Sequence, residues 1–385
     1  MTVLTQEQIA TLTALRHELH RRPEVSGDEG QTAERIIEEL TAVGADQIWQ
    51  GLGGHGVAAA FSGATEGPTV LLRCELDGLP IHEISDIAHK SETEGKGHLC
   101  GHDGHMVSML GVAMALAIRP ATGRVILLFQ PAEETGAGAK AVVEDTRWPE
   151  IRPDYAFAYH NVPDRPLGEI GLRPGPGNCA SRGLQILLEG KSSHAATPED
   201  GVSPGPAMAA LMQALPALGT GMIGEDGFAL ATLTHAQLGE PTFGIAPGRG
   251  ELRVTLRCMT DERMDALVAD AISQVAQHTD HLEVKLRWND IFLSVTNDAE
   301  ATDIARRAAA GRGHDLYEMP TPMRWSEDFG RIGGDGAKSA MLYVGAGENH
   351  PQLHNPDYDF PDALIPVATD LFCGIVANIL GAAQT

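Results

Sequence analysis

The amino-acid sequence predicts an α/β fold of two domains, the larger built on a largely parallel sheet and interrupted by a smaller insert. Three observations lead there. The chain has 385 residues, 43% of them hydrophobic, which is long for a single core. Short apolar runs alternate with helical periodicity between residues 56 and 159, the pattern of parallel strands with crossover helices. From about residue 181 the order becomes strand, helix, strand, strand, helix, strand, the ferredoxin-like β-α-β-β-α-β unit. The predicted divisions are 1–180 with 291–385 for the larger domain and 181–290 for the insert.

Thr5 and Gln8 read as a capping box ahead of a helix carrying Ile9, Leu12, Leu15 and Leu19. Pro23 stops that helix. A second helix places Ala33, Ile36, Ile37 and Leu40 on one face and ends at Gly44. Residues 56–61 and 69–74 read as buried strands, followed by a helix with Met106, Leu110, Ala113, Met114 and Ala117. Residues 124–130 and 155–159 are further strands, with a short helix at 139–143 between them. In the insert, strands are predicted at 184–188, 229–237, 251–258 and 282–288, and helices at 207–218 and 262–278. A strand at 341–344 and a closing helix at 362–380 complete the chain.

The formal net charge of -24 repels nucleic acid and anionic lipid, so both are poor partners. An anionic substrate would need a local positive site against that field. No apolar run is long enough to cross a bilayer, and the start MTVLTQEQIATL lacks the features of a signal peptide. Five cysteines in so long a chain do not form a disulfide framework. A reducing cytoplasm is the expected compartment.

The polar residues concentrate where strands end. In open α/β sheets, ligands bind beyond the carboxyl ends of the strands. TVLLRC runs into Glu75 and Asp77, RVILLFQ into Glu133 and Glu134, YAFAY into His160 and Asn161, and MLYVGAG into Glu348, His350 and His354. LCGHDGH places Cys100, His102, Asp103 and His105 just before a helix. Each has a blander reading: a buried structural thiol for Cys100, an acidic pair at a helix start for Glu133 and Glu134, a core histidine for His160, a loop residue for His354. Several such endings converging on one edge point instead to a metal centre. Thiolate, imidazole and carboxylate together suit zinc, and imidazole with carboxylate also suits manganese, cobalt or nickel. His20, His55 and His314 have no ligand-like context, and His82, His89 and His98 only flank the site in sequence.

The motifs LHRRPEVSGDE, LDGLPIHE, LCGHDGH, FQPAEETGAGA, YHNVP, KSSHAATPEDGVSP, WSEDFG and LHNPDYDF occur in that order over nearly the whole chain. Together they resemble the aminoacylase and hippurate hydrolase family, which includes hormone–amino acid conjugate hydrolases and is akin to carboxypeptidase G. The resemblance implies two divalent ions, with Cys100 as a bridging thiolate and His102, Glu134, His160 and His354 as the other ligands. Glu133 would be the general base and Asp77 the carboxylate that orients a ligand. The insert would be a lid and dimerisation domain whose His194 reaches the neighbouring subunit's site. Arg257, in the lid strand LRVTLRC, is the candidate for gripping a substrate carboxylate. It could equally be a surface residue paired to a Glu. The chain departs from its relatives at Gly244, Glu75 and Trp325, which bear on the substrate pose rather than on the metal ligands.

The expected activity is hydrolysis of the amide bond of N-acyl amino acids by a metal-activated water, in a homodimer or homotetramer. A dipeptidase or carboxypeptidase with the same chemistry is the competing hydrolytic reading. A non-catalytic binding protein would not need a base beside a metal, and a purely structural subunit leaves the polar cluster unexplained.

Overall fold

A computed structural model describes residues 3–381. The chain folds into two units. The larger comprises residues up to Gly177, Thr296–Pro320, and Asp328 onward; the smaller comprises Asn178–Val295 and Thr321–Glu327.

The larger unit is built on an eight-stranded sheet. Its order is Gln47–Leu52, Gly56–Ser62, Thr122–Gln130, Thr65–Glu75, Tyr155–Pro163, Lys338–Gly347, Ile170–Leu172 and Leu316–Glu318. The four central strands, from Thr122–Gln130 to Lys338–Gly347, are mutually parallel, and Gly56–Ser62 on one side and Ile170–Leu172 on the other pair with them antiparallel. Residues facing both ways are buried in the runs Val70–Leu72 and Val125–Phe129. That is why these strands read as continuous apolar stretches rather than alternating ones.

Helix Gln6–Arg21 begins on the predicted capping box, with Thr5 Oγ1 accepting from the Gln8 N–H and Gln8 Oε1 accepting from the Thr5 N–H. Helix His102–Ala115 is buried on every side from His102 to Ala113, as expected of a helix with little polar surface. It packs against helices Gln6–Arg21 and Leu364–Leu380. Its first turn requires glycine. Gly101 has φ +94°, and a Cβ on Gly104 would lie 2.2 Å from the Phe360 ring.

A buried ion cluster ties these helices together. Arg16 contacts Asp103 at 3.1 Å, Asp359 at 2.6 Å and Asp362 at 2.6 Å. His20 Nδ1 donates to Asp103 at 2.8 Å, and its Nε2 lies 3.3 Å from Glu83. Burial opposes the charge on His20, but Asp103 and Glu83 outweigh it and lift its pKa to about 9. A raised folded pKa stabilises fully below the unfolded value near 6.5 and stops doing so as pH rises through 9. The shift corresponds to stability on the order of 3 kcal/mol. Denaturant midpoints of the parent should therefore fall between pH 6.5 and 9, while His20→Gln should flatten that slope. Parallel pH profiles for both proteins would show His20 is not the group responsible.

In the smaller unit the sheet order is Ala229–Leu238, Arg249–Cys258, Ala180–Glu189 and Glu283–Phe292, all antiparallel. Numbered along the insert, that is strand 2, 3, 1, 4, the ferredoxin-like arrangement. Leu184, Ile186, Leu188, Leu252, Val254 and Leu256 are buried on one face. Helices Gly205–Ala214 and Asp261–His278 contribute Met208, Leu211, Met264 and Leu267 to the same core. The alternation of buried and exposed positions reflects a sheet covered on one face only. A short ladder pairs Ser193–His194 with Ile245–Ala246. That ladder, the outer strand Gln47–Leu52 and helix Ala299–Arg312 were not singled out from the sequence.

Candidate metal centre

Because the four central strands of the larger unit run parallel, their carboxyl ends share one edge, and the loops beyond them carry the candidate ligands. Tyr155–Pro163 delivers His160 directly. The loop after Thr122–Gln130 carries Glu133 and Glu134, and its geometry is fixed at two points. Glu29 accepts from the Ala132 N–H at 2.8 Å, and Asp77 Oδ2 accepts from the Glu134 N–H at 3.0 Å. Ala132 has φ +48° and His354 has φ +65°, a left-handed backbone that disfavours side chains. The His354 N–H donates to the Leu99 carbonyl at 2.8 Å. Strained residues of this kind persist where surrounding contacts over-determine them.

Two groups of potential donors share one atom. Cys100, His102 and His160 form one triad, and Cys100, Glu134 and His354 form another, with the ligand atoms of each within 4.8 Å of one another. Cys100 Sγ lies 3.3 Å from His160 Nε2, and His354 Nε2 lies 3.6 Å from Glu134. His102 Nε2 is 4.0 Å from a carboxylate oxygen of Glu133 and 4.0 Å from one of Glu134. Asp77 accepts from Ser26 at 2.7 Å, and its Oδ1 sits 3.4 Å from His102 Nδ1.

Three observations test whether cations fit. His102 Nδ1 donates to the Asp77 carbonyl at 2.8 Å, while its buried Nε2 has no hydrogen-bond partner. His160 Nδ1 likewise donates to the Asn161 carbonyl at 2.8 Å, which turns the Nε2 lone pair towards Cys100. Both are the tautomers of metal-binding imidazoles, oriented by the opposite nitrogen. The third is charge. Burial, then Glu134, Glu133 and Glu75, push the Cys100 thiol well above its ordinary range. Burial opposes the charge on His102, yet the Asp77 hydrogen bond and the nearby carboxylates lift it to about 10. A pocket this negative calls for positive charge, and a divalent ion would deprotonate the thiol outright. The donor set fits divalent metal.

Behind the donors lies a second layer that the sequence reading left without roles. His105 Nδ1 donates to Glu75 at 2.6 Å, and its Nε2 meets Asn161 Oδ1 at 2.5 Å. Asn161 Nδ2 in turn donates to the Cys100 carbonyl at 3.2 Å and to the Tyr358 hydroxyl. Arg73, fully buried, bonds Glu75 and reaches Asp328 at 2.6 Å and Gln130 at 2.9 Å. One signal was available: an arginine inside the apolar run TVLLRC must find buried acids.

Other predicted positions fall elsewhere. Glu348 is exposed, and His350 donates to the Asp359 carbonyl at 2.6 Å; neither joins a donor group. His82 pairs with Glu94, and His314 with Asp370. His194 and Arg257 belong to the smaller unit. His194 is exposed, and its Nδ1 accepts from the Ala196 N–H at 3.0 Å. Arg257 donates to Ser326 Oγ at 2.8 Å and to the Arg324 carbonyl at 3.3 Å, with no acidic partner among the described residues. The Gly244 carbonyl accepts from the Ala195 N–H at 3.0 Å, with open space where its Cβ would be. The Trp325 carbonyl accepts from Asn178 at 3.5 Å.

A thiol, imidazoles and carboxylates gathered at the carboxyl edge of a parallel sheet, in a chain with a ferredoxin-like insert, define a metal-dependent hydrolase. Residues 71–378 match the model of Peptidase family M20/M25/M40, and the chain belongs to that family. It is 29% identical to a hippurate hydrolase of Campylobacter jejuni, over 95% of this chain and 96% of that protein. It is 32% identical to an N-acetyl-L-cysteine deacetylase of Bacillus subtilis, over 83% of this chain and 76% of that one. Its fold is similar to that of the Bacillus subtilis YXEP protein, described as a dinuclear metal-binding peptidase. That similarity has TM-score 0.80 at 26% identity and covers 98% of this chain and 100% of the other. The chain is therefore an amidohydrolase of this family, with metal-ligating groups at its site.

Proposed function

We propose that this enzyme hydrolyses the amide bond of N-acyl amino acids. The observation that carries the reading is the pair of donor triads sharing Cys100, with Glu133 beside His102. Cys100, His102, Glu134, His160 and His354 would hold two divalent ions, zinc or manganese first among them, with Cys100 common to both donor triads. When bound, such ions polarise a carbonyl oxygen and bring the ionisation of water close to neutral pH.

The protein's own groups do the rest. Glu133 accepts the proton of the attacking water and returns it to the departing amine nitrogen. Asp77 holds the His102 ring and the Glu134 backbone in place. His194, reaching over from a neighbouring subunit, is our candidate donor to the developing oxyanion. Its Nδ1 is occupied as an acceptor, so the neutral ring carries its proton on Nε2 and can donate there. Arg257 grips the substrate carboxylate, supported by its lack of an acidic partner among the described residues. The smaller unit serves as lid and dimerisation surface of a homodimer or homotetramer, and its strand Ala229–Leu238 lies at a sheet edge. A cytoplasmic location is supported by the free thiols of Cys74, Cys100, Cys179, Cys258 and Cys373. No helix of the described residues is long and apolar enough to cross a membrane.

The test is metal analysis followed by assay on a panel of N-acetyl and N-benzoyl amino acids and free dipeptides. We expect cleavage of the blocked amino acids, loss of activity on chelation, and recovery with zinc or manganese. Cleavage of free dipeptides with the blocked compounds spared would replace this reading with a dipeptidase.

A further inference from the structure

Asn161 is a fully buried asparagine inside the central strand Tyr155–Pro163, one position beyond His160. A buried amide is costly unless its polar atoms are paired, and here each side-chain atom is. Nδ2 gives its two hydrogens to the Cys100 carbonyl at 3.2 Å and to the Tyr358 hydroxyl at 2.5 Å. Oδ1 therefore accepts, and the His105 Nε2 that meets it at 2.5 Å is an N–H donor. The amide cannot flip, because the Cys100 carbonyl has no proton to give. His105 is itself held from behind, with Nδ1 on Glu75 at 2.6 Å and Glu75 on the buried Arg73. With both ring nitrogens occupied, His105 has no free lone pair for a metal, although it lies with Glu75 and His102 in a third donor group. The fit is tight against the ligand turn as well: a Cβ on Gly101 would lie 2.6 Å from Asn161 Oδ1. The backbone carbonyl of Asn161 meanwhile accepts from His160 Nδ1 at 2.8 Å. One residue thus grips the main chain of Cys100 and the ring of His160, whose Sγ and Nε2 lie 3.3 Å apart. An apolar side chain at this position would pack, but it would not fix the direction of the Cys100 carbonyl.

We propose that Asn161 is the positioning residue that aims Cys100 and His160 at one metal ion, and that His105 acts through it by locking the amide. This rests on the assignment of Cys100 and His160 as ligands given above. Removing a group that orients a ligand costs metal affinity on the order of 10–100-fold. A contribution confined to packing would lower stability and leave the affinity of the folded protein where it was.

The experiment measures cobalt binding to the metal-free parent, Asn161→Leu, Asn161→Asp, His105→Leu and the double variant Asn161→Leu with His105→Leu. Affinity is read by competition with a chromophoric chelator, Cys100 ligation by the thiolate-to-cobalt charge-transfer absorption, and folding by circular dichroism. The parent should show the charge-transfer band. Asn161→Leu should bind cobalt about 10–100-fold more weakly, with a weaker or shifted band. His105→Leu should lose affinity in the same direction. Because His105 acts through Asn161, the double variant should bind no more weakly than Asn161→Leu alone. Asn161→Asp keeps the shape and the oxygen facing His105 but sets an acceptor against the Cys100 carbonyl, so it should lose affinity too. It carries the test if the leucine variant does not fold. Parent-like affinity and band in a folded Asn161 variant would overturn the proposal and leave the ligand assignment standing. Additive losses in the double variant would overturn the link through His105. A parent that binds cobalt without the thiolate band would remove Cys100 as a ligand, and this inference with it.

Discussion

Glu133→Gln is expected to lower kcat by about two to four decades, the usual loss when a positioned acid–base group is removed. In activation free energy that is roughly 3–5 kcal/mol. The amide keeps the shape of the side chain but cannot take a proton from water or return one to the leaving amine. Glu133 belongs to neither of the two triads that share Cys100. Metal content and thermal stability should therefore stay near those of the parent. Turnover within about tenfold of the parent, with metal bound, would take Glu133 out of the chemistry. Loss of metal along with activity would make it a ligand instead.

The second large effect is on stability. Arg73→Met should destabilise the larger unit by about 3–5 kcal/mol, because it leaves buried carboxylates without their cation. Arg73, Glu75 and Asp328 are all fully buried. Burial works against ionisation of Glu75, but Arg73 and then His105 hold its carboxyl well below the usual range. Asp328 also accepts from Gln130 and from the Ala139 N–H at 2.8 Å. Losing Arg73 thus disturbs the layer behind Cys100 as well as the loop that follows Glu134. Arg73→Lys keeps the charge but not the fork, and should fall between parent and Arg73→Met. Chemical denaturation decides the matter: a change below about 1 kcal/mol for Arg73→Met would show that the carboxylates are neutralised some other way.

Much of the candidate centre was legible because its signals are local. Cys100 and His102 stand in one glycine-flanked turn, and Glu133 and Glu134 directly follow a strand. The ligand types also recur at strand ends, where a parallel sheet must place its binding edge. The insert was legible in the same way, since its buried residues alternate along each strand and its helices carry clear periodicity. Helix Ala299–Arg312 had readable ends that went unused: Asp298 accepts from the Ala301 N–H, and Gly313 closes it at φ +79°. The strands Ile170–Leu172 and Leu316–Glu318, at three residues each, are too short to carry a period.

By itself, then, the sequence determined the order of most of the longer elements, the ferredoxin-like insert and the residue types available to bind metal. These follow from hydrophobic period, turn chemistry and motif spacing, all of which act over a few residues. Only the tertiary structure decided how those groups are held: Asp77 against both His102 and Glu134, His105 between Glu75 and Asn161, and Arg16 among three aspartates. It also fastened the Arg324 carbonyl to Arg257. The partners in these contacts lie as far apart in the chain as Arg16 and Asp362. A charge buried at one point is neutralised by whichever acid packing brings to it, and no local pattern encodes that choice.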